Sequence, residues 1–140
     1  MMEKDVMKWL TEVRKLDAAL LEFMGVRQVQ HPALGAAVAF AYRKNGQSYA
    51  AKFRTADRKD FRSTQGVTRG LYGEDALRTG EGPIVITEGE IDALSVMQAG
   101  YVRTVSLPDG WTEDGGKREV LLQAESLLRQ SPYVIVAGDN

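Results

Sequence analysis

Two apolar runs in this chain each deliver a carboxylate. Ile84-Val85-Ile86-Thr87 runs into Glu88-Gly89-Glu90-Ile91-Asp92, and Val134-Ile135-Val136-Ala137 runs through Gly138 into Asp139. Short runs of that composition read as buried parallel strands, and open α/β sheets place their ligands outside the carboxyl ends of such strands. Acids on neighbouring strand ends suit a hard divalent cation, which takes oxygen ligands. The chemistry this points to is metal-assisted work on phosphates, with Glu88 and Asp139 as the ligating pair. A structural reading competes with it: Thr87 and Glu90 have the spacing of a capping box, and acids in a first helical turn complement the macrodipole. Glu90 is assigned to the cap. Glu88 is not, because it stands between strand and helix, where Gly89 permits close backbone approach. Asp92 lies one turn beyond Glu88 on the same side. It is either a partner that supports the site from behind or a helix-start acid, and both readings stay open.

The elements that must position these acids follow from periodicity. From Pro83 the pattern is β-α-β-α-β: strand 84–87, helix 90–99 closed by Gly100, strand 102–106, helix 117–130 and strand 133–137. Strand 102–106 ends at the turn sequence Leu107-Pro108-Asp109-Gly110, and the second helix turns Val120, Leu121, Ala124, Leu127 and Leu128 inward. Such alternation argues for a parallel sheet flanked by helices. Upstream, residues 38–54 switch to period two, with Asn45-Gly46 as a hairpin signal. That hairpin puts Lys52 and Arg54 on one face, opposite Phe53. A third strand near Phe61 is expected to add Arg62 to the same face, giving a basic patch of Lys52, Arg54 and Arg62. The first 25 residues read as two short helices with Trp9, Val13, Leu16, Leu20 and Phe23 on one apolar face. Asp17 starts the second helix and Gly25 ends it. The glycine-rich stretch 66–82 is connective, so the division is 1–80, a small α+β basic subdomain, and 81–140, a partial α/β domain.

The chain has 140 residues with 44% hydrophobic and 26% charged, an ordinary globular composition. No cysteine is present, which excludes disulfides and cysteine-held zinc. The single histidine, His31, precedes Pro32 and reads as a solvated loop residue. The start lacks the apolar core of a signal peptide, and the longest apolar run, 33–42, is too short to span a bilayer. The expectation is a cytoplasmic protein with no membrane association. Its net charge of −1 conceals an asymmetry: residues 43–69 carry eight bases against two acids, and residues 70–140 carry twelve acids against five bases. One reading is a polyanion gripped by the first segment and a cation held by the second. The other is two solvated faces of opposite sign, which charge alone favours.

Taken together, Ile84 to Asp92, Ser106-Leu107-Pro108-Asp109-Gly110 and Val134 to Asp139 resemble the Toprim domain. Primases, type IA and II topoisomerases and some nucleases share it. Lys52-Phe53-Arg54-Thr55, Phe61-Arg62-Ser63-Thr64 and Leu71-Tyr72-Gly73 resemble the basic subdomain that precedes Toprim in primases, most of all in phage-type and Twinkle-like primase–helicases. The resemblance covers 38–140. It implies a DNA primase, a nucleotidyltransferase that makes RNA primers on single-stranded DNA in replication. Glu88 would be the catalytic, metal-holding glutamate and Asp139 the first acid of an Asp-x-Asp pair, with Mg²⁺ or Mn²⁺ as cofactor. Lys52, Arg54, Arg62 and Ser63 would receive template or nucleotide phosphates. Implied partners are template DNA, ribonucleoside triphosphates and a replicative helicase in cis or in trans, in a bacterial or phage-infected cell. Asn140 is last, so the second aspartate of that pair is absent; the chain reads as C-terminally truncated and is not expected to synthesise primers alone. Two other classes compete: a non-catalytic single-strand-binding module with a vestigial acid site, and a Toprim nuclease or topoisomerase part. The basic hairpin directly before the Glu-Gly strand argues against the latter.

Overall fold

The computed structural model describes residues 5–56, 60–109 and 116–138. The chain divides into two compact units, Met1–Tyr42 with Ser48–Val67, and Arg43–Gln47 with Thr68–Asn140. Residues 68–80 therefore go with the second unit and not with the basic subdomain. The cause is packing: Leu71 and Leu77 join Ile84, Ile86, Val105 and Leu107 in one core.

The first unit opens with α1 (Val6–Lys8), which continues as a π-helical turn over Trp9–Val13, and then α2 (Ala18–Phe23). Asp5 caps α1 through its carboxylate on the Lys8 N–H. The expected apolar face is only partly realised. Val6, Leu10, Leu16 and Leu21 are buried, whereas Val13 and Phe23 are 66% and 76% exposed. The reason is the wide turn, in which the Arg14 N–H reaches the Trp9 carbonyl and Leu16 N–H the Leu10 carbonyl. Each extra residue rotates the following side chains off a 3.6-residue stripe.

A four-stranded antiparallel sheet follows in the order β1-β2-β3-β4, made of Arg27–His31, Gly35–Lys44, Gln47–Arg54 and Phe61–Ser63. The β2–β3 turn is the expected Asn45-Gly46, with φ of 54° and 80°. β1 was not anticipated. His31 ends it, half-buried, its Nδ1 accepting the Ala33 N–H and its ring 4.9 Å from that of Phe53. It is not a solvated loop residue.

The second unit is a three-stranded parallel sheet in the order β6-β5-β7, from Thr104–Ser106, Ile84–Thr87 and Val134–Ala137. α3 (Glu90–Gln98) packs on β5 and β6. α4 (Gly116–Gln123) and α5 (Glu125–Leu128) replace the single expected helix, broken at Ala124. Their Val120, Leu121, Ala124, Leu127 and Leu128 face the core as expected. β7 departs from expectation. Val134, Ile135 and Val136 are 42–59% exposed, whereas β6, the opposite edge of the sheet, is buried beneath α3. No helix among the described residues is long and apolar enough to cross a membrane. The hairpin tip counts to this unit: both oxygens of Asp75 accept backbone N–H groups, from Asn45 and Gly46, at 2.8 Å.

Tyr72 is fully buried, and its backbone pairs with Ser106. Burial, reinforced by the Glu90 carboxylate and opposed by the Arg43 guanidinium, pushes its hydroxyl pKa far above the ordinary tyrosine range. Below the unfolded pKa of about 10 both states hold the proton, and no pH dependence arises. Above it the unfolded chain loses a proton that the folded chain keeps. Stability then falls with rising pH, by up to about 1.4 kcal/mol per pH unit. Tyr72→Phe is expected to remove one proton's worth of that slope. Urea denaturation of both proteins at several pH values above 10 measures it; identical slopes would contradict the burial argument.

Candidate functional site

The site grows from the way the three parallel strands end together. Thr87 is in register with Ser106 on one side and Ala137 on the other. The Leu107 N–H donates to the Thr87 carbonyl, which extends the β5–β6 ladder by one step. Glu88 thus leaves the sheet from its central strand, half-buried, between the ends of β6 and β7. Its carboxylate turns toward β7: a β-carbon on Gly138 would lie 2.9 Å from Glu88 Oε1. That is a contact side chains do not make, so glycine at 138 is what lets the carboxylate rest there. Sequence reasoning took Gly138 as part of a strand ending and missed this approach.

α3 begins directly behind Glu88. Gly89 is its N-cap, extended at φ −133°, and Thr87 Oγ1 donates to the Gly89 carbonyl. The anticipated capping box between Thr87 and Glu90 is therefore not formed. Glu90 is the first helical residue, 4% exposed. Thr87 does not cap the helix because it is still the last residue of β5, two positions before the N-cap Gly89. Asp92 is half-buried, and its Oδ2 is 3.4 Å from a β-carbon built on Gly89. Asp139 lies outside the described residues.

The loop after β6 is held by a residue the sequence reading left unassigned. Arg69, its side chain 8% exposed, donates to the Pro108 carbonyl at 3.0 Å and to Asp109 Oδ1 at 2.8 Å. A carbonyl beside a carboxylate is what the guanidinium fork matches, so Leu-Pro-Asp-Gly was the available signal.

In the first unit the basic residues do not form one open face. The β3–β4 register sets Lys52 opposite Ser63, Phe53 opposite Arg62 and Arg54 opposite Phe61. Directly opposed residues share a face, so Lys52, Arg54, Ser63 and Phe61 are on one side and Arg62 is on the other, with Phe53. A one-residue difference in register accounts for the reversal. Lys52 is moreover 7% exposed, its Nζ 4.7 Å from the centre of the Phe61 ring. The Arg54 guanidinium lies 5.2 Å from the Trp9 ring and 5.4 Å from that of Phe61, and its Nε–H donates to the Thr55 carbonyl. Arg62, half exposed, pairs with Asp60 at 3.2 Å. Trp9 had been read as core alone.

No protein-family model matches the chain. Two proteins of Arabidopsis thaliana are similar to it. The chloroplastic/mitochondrial Twinkle homolog is 29% identical over 115 residues, 74% of this chain and 16% of that protein. The primase homolog protein is 36% identical over 115 residues, 74% of this chain and 33% of its own length. This chain therefore spans a third or less of either relative. Among solved structures, the primase fragment of the bacteriophage T7 primase-helicase protein superposes with a TM-score of 0.75 at 26% identity. The match covers 91% of this chain and 52% of that one. The chain has the fold of a primase catalytic core. The antiparallel sheet before a parallel sheet flanked by helices is the arrangement expected of the primase core.

Proposed function

We propose that this primase-core chain serves RNA primer synthesis on single-stranded DNA, with ribonucleoside triphosphates as substrates and a replicative helicase as partner in cis or in trans. The single observation that carries the reading is the Glu88 carboxylate lying against Gly138, at the joint ends of β5 and β7. The names of the relatives, a Twinkle homolog and a primase homolog, support it.

Mg²⁺ or Mn²⁺ is the implied cofactor, and the donor chemistry fits it. The candidates are carboxylates only, in a chain without cysteine, as hard cations require. Among the described residues no three potential ligands converge, so the fit rests on Glu88 and on Asp139, the acid that follows Gly138 in sequence. Glu88 and Asp139 would hold the ion, with Asp92 orienting the site from the first turn of α3. An ion held there would supply the positive charge that offsets phosphate in an in-line displacement. Glu88 would take part in moving the proton of the attacking hydroxyl. Arg54, Arg62 and Ser63 would receive phosphates of template or nucleotide, Arg54 from beside the Trp9 and Phe61 rings and Arg62 from the opposite face, with the buried Lys52 contributing only its charge.

A Mn²⁺ titration of the chain, followed through its amide signals, tests the centre. Broadening is expected first at Gly89 and Gly138, with affinity on the weak side for two or three carboxylates. Gly138→Ala puts a methyl group where Glu88 Oε1 lies and obliges that carboxylate to rotate away, so binding is expected to weaken, by at most about ten-fold. Broadening spread over unrelated acids, or indifference to Gly138→Ala, would favour a single-strand-binding module without a working metal centre.

A further inference from the structure

At the other end of the parallel sheet, away from Glu88, lies a second feature. A cavity of about 480 Å³ opens where the strands begin, lined by Gly82 and Pro83 before β5, Arg103 before β6 and Tyr133 before β7. Strands of four residues place it roughly 13 Å from Glu88, at about 3.3 Å per residue. Arg103 is 6% exposed. It donates from Nη1 to the Gly82 carbonyl at 3.0 Å and from Nη2 to the Leu77 carbonyl at 3.3 Å. Its Nε–H, also buried, meets no acceptor among the described residues. A guanidinium has five donors and keeps its charge at all working pH values. Two neutral carbonyls leave that buried charge without a counter-ion among the described residues, an arrangement that costs free energy unless an anion completes it.

Two neighbours specify the anion further. Arg78 also lines the cavity and is loosely held, 3.9 Å from an Asp75 oxygen that already accepts a backbone N–H. Tyr133 lines the opening and is 71% exposed, which makes its ring available for a planar partner. Two cationic forks with an exposed aromatic ring match an oxyanion joined to a flat ring system. The volume is within the range of small-molecule sites. We propose that this cavity binds a nucleoside monophosphate, its phosphate toward Arg103 and Arg78 and its base against Tyr133. Glu81, also in the lining and exposed, opposes the phosphate and limits the affinity.

The test uses the 140-residue chain in EDTA, so that the outcome is independent of any metal at Glu88. AMP, inorganic phosphate and adenosine are titrated separately and followed by amide NMR. AMP is expected to shift Gly80, Gly82, Arg103 and Tyr133, to leave Gly89 and Gly138 in place, and to bind more tightly than phosphate or adenosine. Tyr133→Ala should weaken AMP about ten-fold, the scale of one lost stacking contact. Glu81→Gln should strengthen it about five-fold, the worth of one like charge a few ångströms away in water. Both positions are exposed, so neither variant threatens the fold. The proposal fails if AMP shifts nothing up to about 10 mM, a free energy too small for a built site. It fails equally if adenosine binds as tightly as AMP, or if the shifts fall at the Glu88 end of the sheet.

Discussion

Replacing Glu88 by glutamine, in the protein as its gene encodes it, is expected to lower primer synthesis by at least about 10²-fold, the usual scale for losing a positioned acid or base. The side chain keeps its size and still fits beside Gly138, but it loses the charge that a divalent ion requires. Folding should be unaffected, since Glu88 makes no part of the apolar core and lies half-buried at the end of the sheet. Single-strand binding should persist as well. The informative comparison is activity per folded molecule, from gel-resolved primers and a denaturation curve on the same preparation. If the variant is unstable while each folded molecule remains active, Glu88 is only a helix-start residue and the catalytic reading is wrong. The failed capping box sharpens this contrast: with Gly89 as N-cap and Glu90 buried, no structural role of that kind is left for Glu88 to fill.

Alanine at both Lys52 and Arg54 is expected to weaken single-stranded DNA binding and to flatten its salt dependence. Each phosphate contact on a single strand contributes a slope of about 0.7 in log affinity against log salt. Lys52 is buried, so Arg54 is the contact expected to reach a phosphate, and its loss amounts to about 5-fold at 0.1 M salt relative to 1 M. The structure adds a control. Arg54 lies against Trp9 and Phe61, so alanine also removes two ring contacts within the first unit. Arg54→Lys retains the charge and should keep the salt slope even if affinity drops, because the slope counts charges and not rings. An unchanged slope in the double-alanine variant would return this segment to the solvated-face reading. Arg62→Ala should have the smaller effect of the three, since Arg62 faces away from Lys52 and is engaged with Asp60.

Much of the second unit could be read without coordinates. The strand at 84–87, the helix behind it, the inward residues of α4 and α5 and the Asn45-Gly46 turn all depend on neighbours within a few positions, and such local preferences are written in residue order. The carboxylate at the end of the central strand is likewise a local fact, and so Glu88 stood out from sequence. What order alone did not determine was which side of a period-two strand faces inward, because both phases of an alternating pattern look alike until a partner is docked. Hence Lys52 was expected on an open face and is buried, and Arg62 was expected beside it and is opposite. β1 was overlooked because Arg27-Gln28-Val29-Gln30-His31 carries one aliphatic residue, and its strand character comes from pairing with β2. The exposure of β7 against the burial of β6 depends on which strand a helix covers, which no single segment encodes. The same holds for Gly138 against Glu88, Arg69 across the loop after β6 and Arg103 above its cavity. Each joins residues at least 20 positions apart in sequence, and only the packed chain decides which distant groups share a place.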